Sequence, residues 1–499
     1  MNKISILILS ALFTVSVSGQ VRQPHSLYFM ETIPQISQMN PAFQPRANGY
    51  VALPLNFNFD LDFNFAVRDL LQKSGNKWLN PLENHYDYDK LRKSIGNTAM
   101  KINFGADIDI IGFGARMGSG YFSFGISEHI SSNLLLPSDL FKITEKGLPD
   151  ETKFDFSSLL NTSVIGYMQI RVGYSGKVND KLSIGVNIKP MFGHVAIAPK
   201  TQNFKLKTGE LWDLDAKGTV YSSAPVDVTK NDENKIDKFS DMEFRDFSNY
   251  KPGDWINNYF LDFNNPGIAL DIGAAYQINE RFSVSASLNN LGFIAWNNDL
   301  NSISFGGKYS FGGVDWDIIA TEADEIKELF KSLGDSIVNA MDYSMKNDKF
   351  KTMLTPVFNA GASYKLTESV SLGFLSSTAF GKNGVRQNFN ASVYLQPYSF
   401  VAMNAGINYQ IKNFIHLSGG FTIFGGPLQF YLLVDNIPIY YSTLTVDGEK
   451  YMISDKSSIP VPFPERLKTF TLRMGVNLVF GKHGYINKPM LDKGKSSWN

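Results

Sequence analysis

Residues 51–65 read V-A-L-P-L-N-F-N-F-D-L-D-F-N-F, with Val51, Leu53, Leu55, Phe57, Phe59, Leu61, Phe63 and Phe65 at every odd position. Asn56, Asn58, Asp60, Asp62 and Asn64 take even positions between them. A period of two marks an extended strand with one apolar and one polar face. The run far exceeds the usual strand of about 5–6 residues. Two structures accept it: a long amphipathic strand of a soluble sheet, or one stave of a membrane barrel with lipid outside and a wet lumen.

The rest of the chain decides between them. Lys3 followed by the apolar stretch 4–17 and small residues at Val17 and Gly19 predicts a signal peptide over 1–19, cleaved before Gln20. No later apolar run reaches the roughly 18 residues of a membrane helix, so entry into a bilayer requires a closed barrel. The absence of cysteine excludes a disulfide scaffold, a thiolate metal site and a lipid-modified cysteine. A formal net charge of zero carries no nucleic-acid footprint. Aromatics at 13%, including 39 Phe and 22 Tyr, suit a lipid face and interface girdles.

The two-residue grammar recurs. Residues 101–116 alternate, with a change of phase near Gly112 that predicts a β-bulge. Further candidate strands lie at 121–131, 162–176, 181–196, 266–277, 282–296, 354–365, 369–380, 386–396, 400–410, 414–424, 427–435 and 467–480. With 51–65 these make 14, an even number as in bacterial barrels. The gaps after the even-numbered strands are short, and those after the first, third, fifth, seventh and thirteenth are long. Short turns on one side and long loops on the other belong to an outer-membrane barrel. The expected fold is therefore all-β, a transmembrane antiparallel up-and-down barrel of about 14 strands over 49–480. A periplasmic tail is expected at 481–499. In the long loops the sequence predicts a hairpin around Trp212, a solvated charged stretch over 227–246, a helix starting at Thr321 and a tight hairpin at 446–449.

Three stretches carry a family resemblance: Asn40-Pro41-Ala42-Phe43; "NNPGIALDIGAAY" (264–276) followed by "LNNLGFIAW" (288–296); and "GGPLQFYLLVDN" (425–436). Together they resemble an uncharacterised outer-membrane barrel family of bacteria with type IX secretion. That family is itself similar to fatty-acid-transporter-like barrels. The resemblance implies a barrel of about fourteen strands with an N-terminal segment inside, and it brings no catalytic residues.

The residues offer little chemistry of their own. The six histidines (His25, His85, His129, His194, His416, His483) show no metal-ligand spacing. Residues 112–117 lack the last glycine and the helix of a dinucleotide loop, and 231–241 miss the EF-hand pattern. No catalytic residue, metal or cofactor is expected. The polar strand faces say more. Asn56, Asn58, Asp60, Asp62, Asn64, Lys101, Asn103, Asp107, Asp109, Arg116, Arg171, Lys189, Asp271 and Arg473 are expected to line the lumen, either as ion pairs across it or as a polar substrate path. Residues 20–48, with Pro24, Pro34, Pro41 and Pro45, are expected to plug it through Leu27, Tyr28, Phe29, Asn40, Pro41 and Phe43. The function expected is a non-enzymatic gated transporter, or an accessory barrel of a secretion or surface machine with partners there. The alternative is a surface adhesion protein acting through its loops. Outer-membrane lipid is the partner the pattern requires; nucleic acid is not one, and the oligomeric state is not encoded in any motif.

Overall fold

The computed structural model describes residues 22–74, 77–79, 86–95, 99–141, 151–228, 242–244, 251, 263–312, 343–381, 384–411, 414–446 and 459–481. Fourteen antiparallel strands close into a barrel. They are β1 (Gly49–Ala52 continued by Asn56–Phe63), β2 (Ala99–Met117), β3 (Gly120–Pro137), β4 (Ser163–Lys177), β5 (Leu182–Lys207), β6 (Pro266–Gln277) and β7 (Phe282–Trp296). They continue as β8 (Val357–Lys365), β9 (Val370–Gly381), β10 (Gly384–Tyr398), β11 (Val401–Gln410), β12 (Ile415–Gly425), β13 (Leu428–Ile437) and β14 (Thr469–Phe480). Each strand pairs with the next in sequence, and β1 pairs with both β2 and β14 (Gly49 opposite Ala115 and Phe480), which closes the ring. Closure removes every free edge, the condition for exposing strands to lipid.

The outer face is apolar. On β2 the exposed side chains are Ile108, Ile111 and Phe113; on β6, Ile268, Leu270 and Ile272; on β12, Leu417 and Ile423. Polar residues of the same strands point inward, as the period of two requires. This is a transmembrane outer-membrane barrel fold. Among the described helices, none is long and apolar enough to cross a membrane; the crossing is made by strands.

Two local expectations change. The first strand is not continuous: Leu53, Pro54 and Leu55 interrupt it, because Pro54 has no N–H to give the ladder. The phase survives the break, so Val51 and Phe57 stay on the outer face. Phe65 leaves that face and is buried with Tyr86, Leu91, Ile95 and Met100 in a small core under the first long loop. Of the hairpin predicted at 446–449 only Val446 is described, pairing with Ile459, and 447–449 lie outside the described residues. The predicted bulge in β2 falls at Ile110, where the register shifts between Asp109 and Ile111.

At the long-loop end β5 outgrows the barrel. Its last eleven or so positions pair with Trp212–Ser223, which pairs with Ser302–Phe311, and that with Tyr343–Lys346; Lys153–Asp155 adds to the other side of β5. The hairpin expected around Trp212 is the first of these pairings. This raised sheet has its own apolar core of Phe154, Phe204, Leu206, Trp212, Leu214 and Phe305. The helix predicted from Thr321 and most of the charged stretch 227–246 lie outside the described residues, as do the signal peptide and the C-terminal tail beyond Gly481.

Candidate functional site

Residues 22–48 lie inside the barrel. Two 3-10 turns, His25–Phe29 and Pro34–Gln38, give the segment a compact path without a ladder of its own. Pro34 stands at the first turn position, where its missing N–H costs nothing. Leu27, Tyr28, Met30, Ile33 and Ile36 are almost fully buried, and Leu27, Tyr28, Met30, Ile33 and Met39 form an apolar core in the lumen with Tyr394, Tyr431 and Leu433 of the wall. Burial of each such side chain contributes roughly 1.5–3 kcal/mol before entropy is counted. Phe29 and Phe43 are half-buried and meet Tyr28 edge-on at 5.2 and 5.0 Å between ring centroids.

The wall is cut to receive this segment. A methyl group at Gly185 would collide with the Pro41 carbonyl, at Gly273 with Asn40 Oδ1, at Gly361 with the Tyr28 ring and at Gly373 with the Phe29 ring. Asn40 Nδ2 donates to the Ala286 carbonyl at 3.2 Å and the Ala274 carbonyl at 3.4 Å, and Asn40 Oδ1 accepts from Ala42 N at 3.0 Å. The Asn40-Pro41 pair therefore ties the segment to strands β6 and β7. Gln35 exchanges hydrogen bonds with Asn477, and the Thr32 carbonyl accepts from Gln429 Nε2 at 2.7 Å. The Met39 carbonyl accepts from Ser287 at 2.9 Å, Asn289 at 2.8 Å and Asn359 at 3.4 Å.

The Arg22 end of the segment points toward the long-loop end and is held by charge. Arg22 Nε is 3.1 Å from Asp60 Oδ1 and its Nη2 is 3.2 Å from Asp62 Oδ1; Arg386 Nη1 reaches Asp62 Oδ2 at 3.1 Å. Burial opposes the Arg22 charge, yet Asp60 and Asp62 hold its pKa above the ordinary arginine value. Burial likewise pushes the His25 imidazole below its usual value against the pull of Asp435, whose carboxylate also takes the His25 and Ser26 backbone N–H groups.

Above the segment is a polar cavity of about 120 Å³. Most of its ions are paired. Lys189 Nζ lies 2.6 Å from Asp271 Oδ2 and 2.7 Å from Asn290 Oδ1; Asp271, fully buried, also accepts from Asn187 and from the Asn290 N–H. Arg473 bonds Gln23 and Gln38 of the segment and lies 3.6 Å from Asp109. His129 Nδ1 is 2.5 Å from Asp107 Oδ1, and Asp107 Oδ2 accepts from Gln23 and Asn58. Arg171 reaches Ser123 Oγ at 3.5 Å and faces the cavity. The cavity is thus lined by five cations (Arg22, Arg171, Lys189, Arg386, Arg473) and two carboxylates (Asp107, Asp109), with Asp60, Asp62, Asp271 and Asp435 behind them against Arg22, Arg386, Lys189 and His25.

Of the residues singled out from the sequence, the cavity brings together Asn56, Asn58, Asp107, Asp109, Arg171, Lys189 and Arg473. Asp60 and Asp62 are engaged by Arg22, and Asp271 lies behind Lys189. Asn103 bridges Asp62 and Asn133. Arg116 stands at the short-turn mouth on Gln44 and the Pro45 carbonyl. Asn64 is spent on the Ala99 carbonyl and the Lys101 N–H of β2, with Lys101 beside it near the long-loop end. Sequence reasoning missed Arg22, Gln23, His25, His129 and Arg386. His129 and Arg386 stand in candidate strands and were open to the same alternation; Arg22 and Gln23 sit in aperiodic sequence with no local signal. Among the described residues, no group of three or more His, Asp or Glu has the arrangement of a metal site.

In overall shape the chain resembles the Ralstonia pickettii toluene transporter TbuX (TM-score 0.39, 9% identity, 94% of this chain and 97% of that one). It also resembles a Pseudomonas aeruginosa FadL homologue (TM-score 0.41, 10% identity, 94% and 100%). A weaker likeness is to the translocator domain of the autotransporter NalP from Neisseria meningitidis (TM-score 0.29, 8% identity, 87% and 89%). No curated protein is detectably similar in sequence. A family signature does match, over residues 41–435, from within the Asn40-Pro41 seat to the Asp435 that receives the start of the luminal segment: the chain belongs to the family of unknown function DUF5723.

Proposed function

We propose that this chain is a closed outer-membrane channel for small polar solutes, with residues 22–48 as its plug and the long-loop end facing out of the cell. The observation that carries the reading is the stacking of a polar, ion-paired cavity directly on an apolar segment that fills the lumen beneath it. Fourteen strands enclose a lumen between those that side chains fill and those of open porins, so an inserted segment is what closes it. Passage requires the segment to shift. Its Arg22 end is fastened by ion pairs and its other end runs into β1, so the Arg22 end is the part that can leave without unfolding a strand. Lipid surrounds the barrel, and the chemistry is non-enzymatic.

The test is electrical. Deleting residues 23–38 should leave a barrel that still migrates differently when boiled and unboiled, with conductance in a planar bilayer well above that of the full chain. Equal conductance of the two proteins, both folded, would reject the plug. A second reading rests on the raised sheet on β5, whose separate core makes it a platform for a surface or secretion partner. Removing its outer strands should then abolish cell attachment or partner capture while bilayer conductance is unaffected.

A further inference from the structure

The cavity over the luminal segment also indicates what kind of solute fits it. Three buried amide oxygens there, Asn58 Oδ1, Asn289 Oδ1 and Asn359 Oδ1, have no hydrogen-bond partner, and neither does Arg473 Nε. All four residues line the cavity and are at least nine-tenths buried. In Asn289 and Asn359 the amide nitrogen is committed to the Met39 carbonyl, which fixes the oxygen as the free end. A buried acceptor left unsatisfied costs about 1–3 kcal/mol, so such a set is built to meet donors.

The charges narrow the choice. The lining holds five cations, and all of them except Arg171 have a carboxylate within 4.0 Å among the described residues. A cation entering here would give up its water and find its natural partners already paired, and an anion would find only Arg171 without a carboxylate, a poor exchange in a low-dielectric site. A neutral solute rich in hydroxyls loses only hydrogen bonds to water and regains them on the amide oxygens and on Arg473 Nε. Aromatic or aliphatic cargo would strand the same polar groups without partners.

We infer that the cavity is a binding site for a small uncharged polyhydroxylated solute, of the sugar or polyol class. The inference rests on the reading of the cavity as a solute site, and not on passage through the barrel.

Equilibrium binding to the detergent-purified full chain tests it, by titration calorimetry with arabinose, glucose and maltose, with glycine betaine as a zwitterion and succinate as a dianion. At least one of the sugars should bind saturably, and glycine betaine and succinate should not. Asn359→Leu should weaken the sugar roughly threefold to tenfold, the worth of one hydrogen bond. Because Asn359 also holds Met39, Asn388→Leu on the cavity wall is the parallel variant and should weaken it as well, with heat-modifiable mobility intact for both. Binding of glycine betaine or succinate in preference to the sugars would overturn the assignment. Binding of no sugar, the free oxygens being met by water alone, would overturn it too. Sugar binding with unchanged conductance on deletion of 23–38 would leave the site standing and remove the channel.

Discussion

Toward the short-turn end the lumen wall presents glycines; toward the long-loop end the same strands present ions. On β5 the change runs from Gly185 to Lys189, and on β6 from Gly273 to Asp271. The glycines let backbone meet backbone, so Asn40 and Pro41 sit against the wall with no side chain between. Two residues away on β6, toward the long-loop end, the wall carries a buried carboxylate with three polar contacts. The lower half is thus filled by packing, while the upper half is lined with charge. Neither half can take the other's contents: apolar side chains above would strand buried charges, and the polar groups below, such as Gln35, Asn40, Gln429 and Asn477, are already bonded within the packing. A barrel interior is therefore not one environment, and its two halves should answer differently to substitution.

The largest effect is expected in the upper half. Lys189→Met leaves Asp271 charged and buried without its cation, which costs about 3–5 kcal/mol. Urea titration of the barrel's heat-modifiable band should shift accordingly, and adding Asp271→Leu should recover much of the loss, since an apolar pair replaces a buried ion pair at little cost. If the single variant is as stable as the parent, the ion pair is water-exposed and the contrast between the halves fails.

A smaller loss is expected below. Gly273→Ala drives a methyl group into Asn40 Oδ1, an overpacking cost of about 1–3 kcal/mol. Its signature is protease access to the luminal segment and raised conductance, with the barrel band unchanged. Gly425→Ala, where an added methyl group meets nothing within 4 Å, is the matched control and should be silent. Raised conductance in both would show that glycine flexibility, and not the seat for Asn40, closes the lumen.

The smallest effect sharpens the comparison from the open side. Asn388→Ala, on the cavity wall, should change stability by no more than about 0.5 kcal/mol, as for a wetted surface position. A loss of 2 kcal/mol or more would mean the cavity is packed like the half beneath it.

Alternation determined much of this molecule without help from any contact. Within β1, from 51 to 63, odd positions face outward and even positions inward because successive side chains of a strand point opposite ways, and that holds whatever the partner strand is. The number of staves followed from counting such runs, and the grouping of short turns and long loops from the spacing between them. The break at Pro54 was not anticipated from the alternation, although its cause lies in the sequence, in a residue that cannot donate to a ladder. Asn40-Pro41 stood out as a motif, though nothing local says that its partners are Gly185 and Gly273.

Only the tertiary structure decided what each inward residue does. Asn58 and Asn64 are indistinguishable by pattern, yet one donates to the Arg22 carbonyl and to Asp107 inside the lumen and the other is used up on the backbone of β2. Arg22 lies in aperiodic sequence and finds Asp60 and Asp62 only because the segment turns back through the closed ring. Lys189 and Asp271 meet because β5 and β6 pair in one register; a shift by one residue would turn one of them out to lipid. Facing is a local property of the chain, whereas partnership depends on the register of every strand between two residues, and closing the ring is what sets it.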